Sequence, residues 1–240
     1  MDNKKFLFYD VECATCQKGA KLYSLGFVLT DENFNVIVKE DHLINPCIKE
    51  WDWYVVKNMS DKGIKKQCEA KPNFAEQYPF FKRLLENPDH TICGFSIAND
   101  IRFFNQDAER YGLAPIDTKC FDIQSFYNQY SGNKGQKALP KVIAELEIDC
   151  TGLREHKSCD DAHGTMLIMK EICKRMNITG RELTDLCKAS QINASKYWND
   201  FKNHVIVDAF GNEVAPENMG KKALLRWEKM QKIKSTEKVE

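Results

Sequence analysis

The chain has 240 residues, with 35 Lys and Arg against 35 Asp and Glu, 42% hydrophobic and 29% charged side chains. This length suits one large domain or one domain with an extension, and the composition supports a sizeable core and excludes global disorder. Zero formal charge speaks against a surface that coats nucleic acid everywhere, although a local basic strip remains compatible with it.

No run of about 18 apolar residues is present, so no membrane span is expected. Met1 to Lys5 is polar, and Asp10 and Glu12 interrupt the first apolar run, which does not fit a secretory signal. Ten cysteines spread over a long chain read as reduced thiols of a cytoplasmic protein.

Phe6-Leu7-Phe8-Tyr9 reads as a buried strand that ends at Asp10-Val11-Glu12. Leu22 to Leu29 and Asn35 to Ile44 follow as strands, with Asp31-Glu32-Asn33 as the turn between them. Residues 45 to 72 read as irregular. Apolar spacing then predicts a helix from Phe74 to Leu85, and Pro88-Asp89 breaks it. His90 to Gly94 is a short strand, Ala98 to Tyr111 a helix, and Thr118 to Ile123 another strand. Gly132 to Gly135 is a loop, Leu139 to Leu146 a short helix, and Ser158 to Met176 a long one. Strands followed by helix–strand–helix alternation predict a mixed α/β sheet.

The pattern changes after residue 178. Arg181 to Ala189 reads as helical, Phe201 to Phe210 is ambiguous, and Lys221 to Lys234 predicts a helix. Residues 211 to 240 hold seven Lys or Arg and five Glu, a net of +2, which suits a solvated surface helix better than a nucleic-acid contact. The expected division is 1–178 and a helical extension over 179–240.

Asp10 and Glu12 are one residue apart at a strand end, so alternation puts both side chains on one face of the sheet. Two adjacent carboxylates repel unless a cation sits between them, and such oxygen ligands suit Mg²⁺ or Mn²⁺. Other acid pairs, such as Asp107/Glu109 and Glu145/Glu147, lie in helical patterns where positions i and i+2 diverge. Asp100 follows a strand and opens a helix. His156 lies in a polar loop, and Asp161, with its neighbour Asp160, lies in the first turns of the next helix. Taken singly, Asp100, Asp160 and Asp161 could simply complement a helix dipole, and Asp10 and Glu12 could mark a strand end reaching solvent. Together, Asp10, Glu12, Asp100 and Asp161 offer four carboxylates to two cations on the order of 4 Å apart, a clamp for the attacking and leaving oxygens of a phosphodiester. His156 could take a proton from the attacking water.

These motifs resemble those of the DEDDh branch of the DnaQ-like 3′–5′ exonucleases, a family that includes the DNA polymerase III proofreading subunit and ribonuclease T. Asp10-Val11-Glu12 is similar to the first motif, Gly94 to Asp100 with Phe103-Phe104 to the second, and His156 to Asp161 with Ala162 to the third. Leu139 to Leu146 resembles the short helix before the last motif. The resemblance covers residues 4 to about 177. It implies a ribonuclease H-like fold, a five-stranded mixed sheet flanked by helices, and release of nucleoside 5′-monophosphates from 3′ ends of single-stranded DNA or RNA.

It further implies that Asp10, Glu12 and Asp161 hold one divalent cation, that Asp10 and Asp100 serve a second, and that His156 is the general base. Asp161 is preferred to Asp160 for its spacing from His156. The backbone of Cys13, Ala14 and Thr15 would meet the terminal nucleotide, and Phe95 or Phe103 would stack on a base. The chain departs from the family pattern at Cys13-Ala14-Thr15, at Phe95-Ser96, at Asn99 and at Ser158. These departures bear on nucleotide binding and leave every ligand in place. Proofreading would need a separate polymerase or another replication or repair partner.

Three rival readings stand beside this one. Cys13 and Cys16, or Cys150, His156, Cys159 and His163, could form a zinc site. A two-metal phosphoesterase could act on small nucleotides. A binding module could keep the fold without the chemistry.

Overall fold

The computed structural model describes residues 4–15, 19–59, 61, 63–133, 135–203, 214–221, 224, 225, 227 and 228. The chain opens with three antiparallel strands, β1 (Lys5–Thr15), β2 (Lys21–Thr30) and β3 (Val36–Leu43). The predicted turn between β2 and β3 closes through Asp31, whose Oδ1 accepts the N–H groups of Asn33 and Asn35 at 2.9 Å each. Two short helices follow, α1 (Trp53–Asn58) and α2 (Ile64–Glu69), in the stretch that was expected to be irregular.

Helix α3 (Phe74–Leu85) starts at a capping box in which Asn73 and Glu76 satisfy each other's backbone N–H. Then come β4 (His90–Gly94), α4 (Ala98–Arg110), β5 (Lys119–Asp122), α5 (Ile123–Ser131) and α6 (Leu139–Glu145). The long helix α7 (Ser158–Met176) has the predicted bounds. It is followed by α8 (Gly180–Leu186), β6 (Gln191–Asn193) and α9 (Ala194–Lys202).

Among the described residues the sheet has six strands in the order β3-β2-β1-β4-β5-β6. β4 runs parallel to β1 and to β5, and β6 returns antiparallel to β5. The fold is thus the expected α/β sheet with helices on both faces, with six strands in place of five. The additional strand is three residues long, and only its buried Ile192 is apolar, too little for a periodic signal.

Both faces of β1 are covered, which explains its unbroken apolar run. Leu7, Tyr9 and Val11 pack with α3 and α4 through Phe74, Phe81, Ile101 and Phe104. Phe6 and Phe8 pack with α5 and α7 through Phe126, Met166, Met169 and Ile172.

The expected division at 178/179 falls between α7 and α8, and the sheet continues past it into β6. At Gly180 a Cβ would stand 2.8 Å from the rings of Phe6 and Phe34, so α8 sits directly on the core. The predicted helix over Lys221 to Lys234 and the stretch from Phe201 to Phe210 lie mostly outside the described residues. No helix of the described residues is long and apolar enough to cross a membrane.

Candidate active site

Asp10 and Glu12 continue the face of β1 that carries Phe6 and Phe8, at the end where the strand leaves the core. Both carboxylates are partly buried. In the β1–β2 ladder, Asp10 pairs with Gly26 and Glu12 with Ser24, and the register shifts just after Glu12. Such an irregularity re-aims side chains at the end of a ladder.

The second acid arrives from α4. Asp100 is buried and its Oδ1 accepts the Val11 N–H at 3.3 Å, which ties the helix to the backbone between the two β1 acids. Its approach depends on the turn after β4. A Cβ on Gly94 would stand 2.8 Å from the Ile97 side chain, and Ser96 adopts a left-handed φ of 56°. Asp122 fixes that turn by accepting the Ser96 N–H at 2.9 Å, while it also caps α5 through the Gln124 N–H at 3.0 Å.

The third group comes from the start of α7. A Cβ on Gly26 would lie 2.0 Å from the Cys159 nitrogen, so only glycine lets the helix N-terminus lie on the strand. Ser158, at one of the departures from the family pattern, bonds Ser24 Oγ at 2.5 Å and Asp41 Oδ1 at 2.8 Å and fastens α7 to β2 and β3. His156 takes a left-handed φ of 59°. Its N–H donates to Asp161 Oδ2 at 3.1 Å, and its Nδ1 lies 3.8 Å from Glu12 Oε1. One ligand atom each from Glu12, His156 and Asp161 lie within 4.8 Å of one another. Asp160 turns away and pairs with Lys39 at 2.6 Å. Of the two neighbours, Asp161 groups with Glu12 and His156 and Asp160 does not.

The electrostatics follow from this crowding. Burial pushes the Asp10 carboxyl well above its ordinary range, and Asp100, Glu12 and Asp161 push it further. Burial also raises Asp100, against the Val11 N–H that lowers it. Asp161 is pushed up to about 7, first by burial and then by Glu12. His156 is raised by its Glu12 partner. Several acids resist ionisation together, the situation that a divalent cation relieves. The oxygen-rich donor set suits a hard cation. Among the described residues no cysteine joins this cluster or forms another such group. Cys13, Cys159 and Cys150 do not converge on a zinc site, and Cys16 lies outside the described residues.

Beside the acids is an apolar cleft of about 210 Å³, lined by Glu12, His156, Cys13, Phe103 and residues of α1. Of the expected nucleotide contacts, Cys13 and Phe103 line this cleft. Ala14 and Thr15 are buried at the strand end, where the Ala14 carbonyl accepts the Asp52 N–H at 2.9 Å. Phe95 packs on the opposite side, against the α5–α7 core. The contribution of α1, through Tyr54, Val55 and Asn58, with Met59 just after it, was not read from the sequence. Neither was Gly26, although a glycine inside a strand is itself a signal of close backbone approach.

The exonuclease (RNase T) family model matches residues 7–169, a span that contains Asp10, Glu12, Asp100, His156 and Asp161. The chain belongs to this exonuclease family. The resemblance to the DnaQ-like enzymes is borne out, and divalent metals are typical of the family. No curated protein matches the chain.

Among solved structures, exonuclease I with bound product is similar over 78% of this chain and 46% of that one, at 18% identity and a TM-score of 0.62. A 3′-exonuclease solved in recognition of a histone mRNA stem-loop is similar over 74% and 84%, at 14% identity and 0.62. A zinc-bound complex of E. coli exonuclease I with single-stranded DNA gives 78% and 43%, at 18% and 0.64. At these identities the likeness is one of fold. The chain spans about half the length of exonuclease I and most of the 3′-exonuclease.

Proposed function

We propose that this exonuclease-family protein removes nucleoside 5′-monophosphates from the 3′ ends of single-stranded DNA or RNA in a reaction that requires divalent metal. The convergence of Glu12, His156 and Asp161, within a family match that also spans Asp10 and Asp100, carries this reading.

Asp10, Glu12 and Asp161 would hold one Mg²⁺ or Mn²⁺, and Asp10 with Asp100 a second. Bound there, the ions supply positive charge to the attacking and leaving oxygens. His156 accepts the proton of the attacking water. Its imidazole is more than half exposed and so reaches solvent, while the Glu12 carboxylate strengthens it as a base. The cleft at Phe103 holds the terminal nucleotide against the acids.

Residues 179–203 serve as a brace for this domain. β6 closes the sheet, and Phe201 of α9 reaches the Arg102 guanidinium, which lies 4.6 Å from the Phe103 ring. Ten cysteines spread along the chain suit a reducing compartment such as the cytoplasm.

A matched time course on 3′- and 5′-labelled single-stranded DNA and RNA, with Mg²⁺, Mn²⁺ or EDTA, tests the reading. Metal-dependent release of mononucleotides from the 3′ end, lost in Asp10→Ala, is the expected result. Hydrolysis of small nucleotide phosphodiesters alone would move the assignment to a phosphoesterase. No hydrolysis by the folded protein would leave a binding module.

A further inference from the structure

Helix α1 presents two aromatic side chains that the fold does not use. The helix is anchored from outside its own span. Trp51, just before it, is buried with its ring 5.0 Å from that of Tyr23, and Met59, just after it, is buried as well. The Asp52 N–H fastens the start of the helix to the Ala14 carbonyl. Between these anchors no residue of α1 is buried. Trp53 is 71% and Tyr54 63% exposed, and their rings meet edge-on at 6.1 Å. Two large rings exposed side by side on one short helix are more than scattered single apolar residues, which need no explanation.

Their position indicates their use. Tyr54, Val55 and Met59 line the same cleft as Glu12 and His156. Trp53 does not line the cleft itself, but its ring lies beside that of Tyr54, which does. The segment that carries Trp53 is mildly basic in sequence. Residues 49–71 carry six lysines against four acids, in a chain whose net charge is zero. The Lys57 ammonium lies 5.8 Å from the Trp53 ring centroid. Aromatic faces interleaved with cations suit a strand that offers π-faces and phosphates in alternation.

We propose that Trp53, with Tyr54 beside it, is a stacking platform for the unpaired base next to the terminal nucleotide, and that it selects single-stranded over paired 3′ ends. This rests on the reading of the acids as the hydrolytic centre. A base in a duplex already has both faces stacked and cannot lie on Trp53 without being unpaired. Every base has a π-face, so the platform sets strandedness and not sequence.

The test separates the platform from the chemistry. In an Asp10→Asn background, which keeps the strand intact, a 12-nucleotide single-stranded oligonucleotide carries 2-aminopurine next to its 3′-terminal residue. Binding should quench the 2-aminopurine. Trp53→Ala should remove the quench and weaken binding by about 5- to 150-fold, which is what one stacked base supplies. Trp53→Phe should recover most of both. With Asp10 restored, Trp53→Ala should raise KM for the single strand with kcat changed by less than about two-fold, and should narrow the preference over a blunt duplex.

Unchanged binding and KM in a Trp53→Ala protein of normal circular dichroism and melting would overturn the platform. So would unchanged oligonucleotide binding accompanied by loss of self-association, since the surface would then be a protein contact. A parent chain that binds the strand and releases no nucleotide would end the nuclease reading, while a Trp53-dependent quench would still support the platform.

Discussion

Gly26 lies across from Asp10 in the β1–β2 ladder, and the backbone of Cys159 occupies the space where its side chain would be. The start of α7 can rest on the sheet only because this position is bare, and Asp161 reaches Glu12 only because α7 rests there. Gly26→Ala should therefore cost about 3 kcal/mol or more, since a Cβ 2.0 Å from a backbone nitrogen forces the helix off the strand. Nucleotide release should fall with it. Urea unfolding measures the first effect and a 3′-labelled strand the second. An unfolding midpoint equal to the parent's would show that the contact is not needed.

Asp160 and Asp161 are adjacent and should behave as opposites. Asp161→Asn should abolish release without lowering the stability of the metal-free protein, because it takes one charge out of a repelling group. Asp160→Asn breaks the pair with Lys39 instead and should lower stability by about 1 kcal/mol, with release persisting. Equal loss of activity in both would refute the choice between them.

His156→Ala should slow hydrolysis by about 10²–10⁴-fold while the requirement for divalent metal remains. Single-turnover rates at saturating Mg²⁺ measure the chemical step directly. A rate within a few-fold of the parent's would remove His156 from the role of base.

The grouping of Glu12, His156 and Asp161 was legible because their order and spacing, taken together, resemble the motifs of a known family. Ser158 stood out as a departure from a familiar pattern, but its work as a fastener to Ser24 and Asp41 depends on β2 and β3, which are remote in sequence. Helix α1 was hidden because Trp51 and Trp53 look alike in sequence, although one is buried and the other exposed. Helix α5 was missed because Asp122 is both the last residue of β5 and the cap of the helix, so no loop residue separates the two. β6 and α9 likewise meet without a break at Asn193.

Asp122 gives a pH dependence whose sign is fixed. Burial pushes its carboxyl from 3.8 up to about 6, against the backbone N–H groups that lower it. Between these values the folded chain holds a proton that the unfolded chain has released. The contribution of Asp122 to stability thus declines as pH rises from 3.8 to about 6 and is level above that. Asp122→Asn keeps an acceptor for the Ser96 N–H and lacks the titration. The unfolding free energy of the variant relative to the parent should rise by about 3 kcal/mol across this range. A difference that does not vary with pH would place the carboxyl at its ordinary value in the fold.

The two borders of the sheet are closed by different means. β3 carries Lys39, Glu40 and Asp41 in succession along one border, and β6 ends the other after three residues. A charged border and a very short one both make poor templates for a further strand. The sheet thus offers little invitation to extended polypeptide along its edges, which should favour solubility at high concentration.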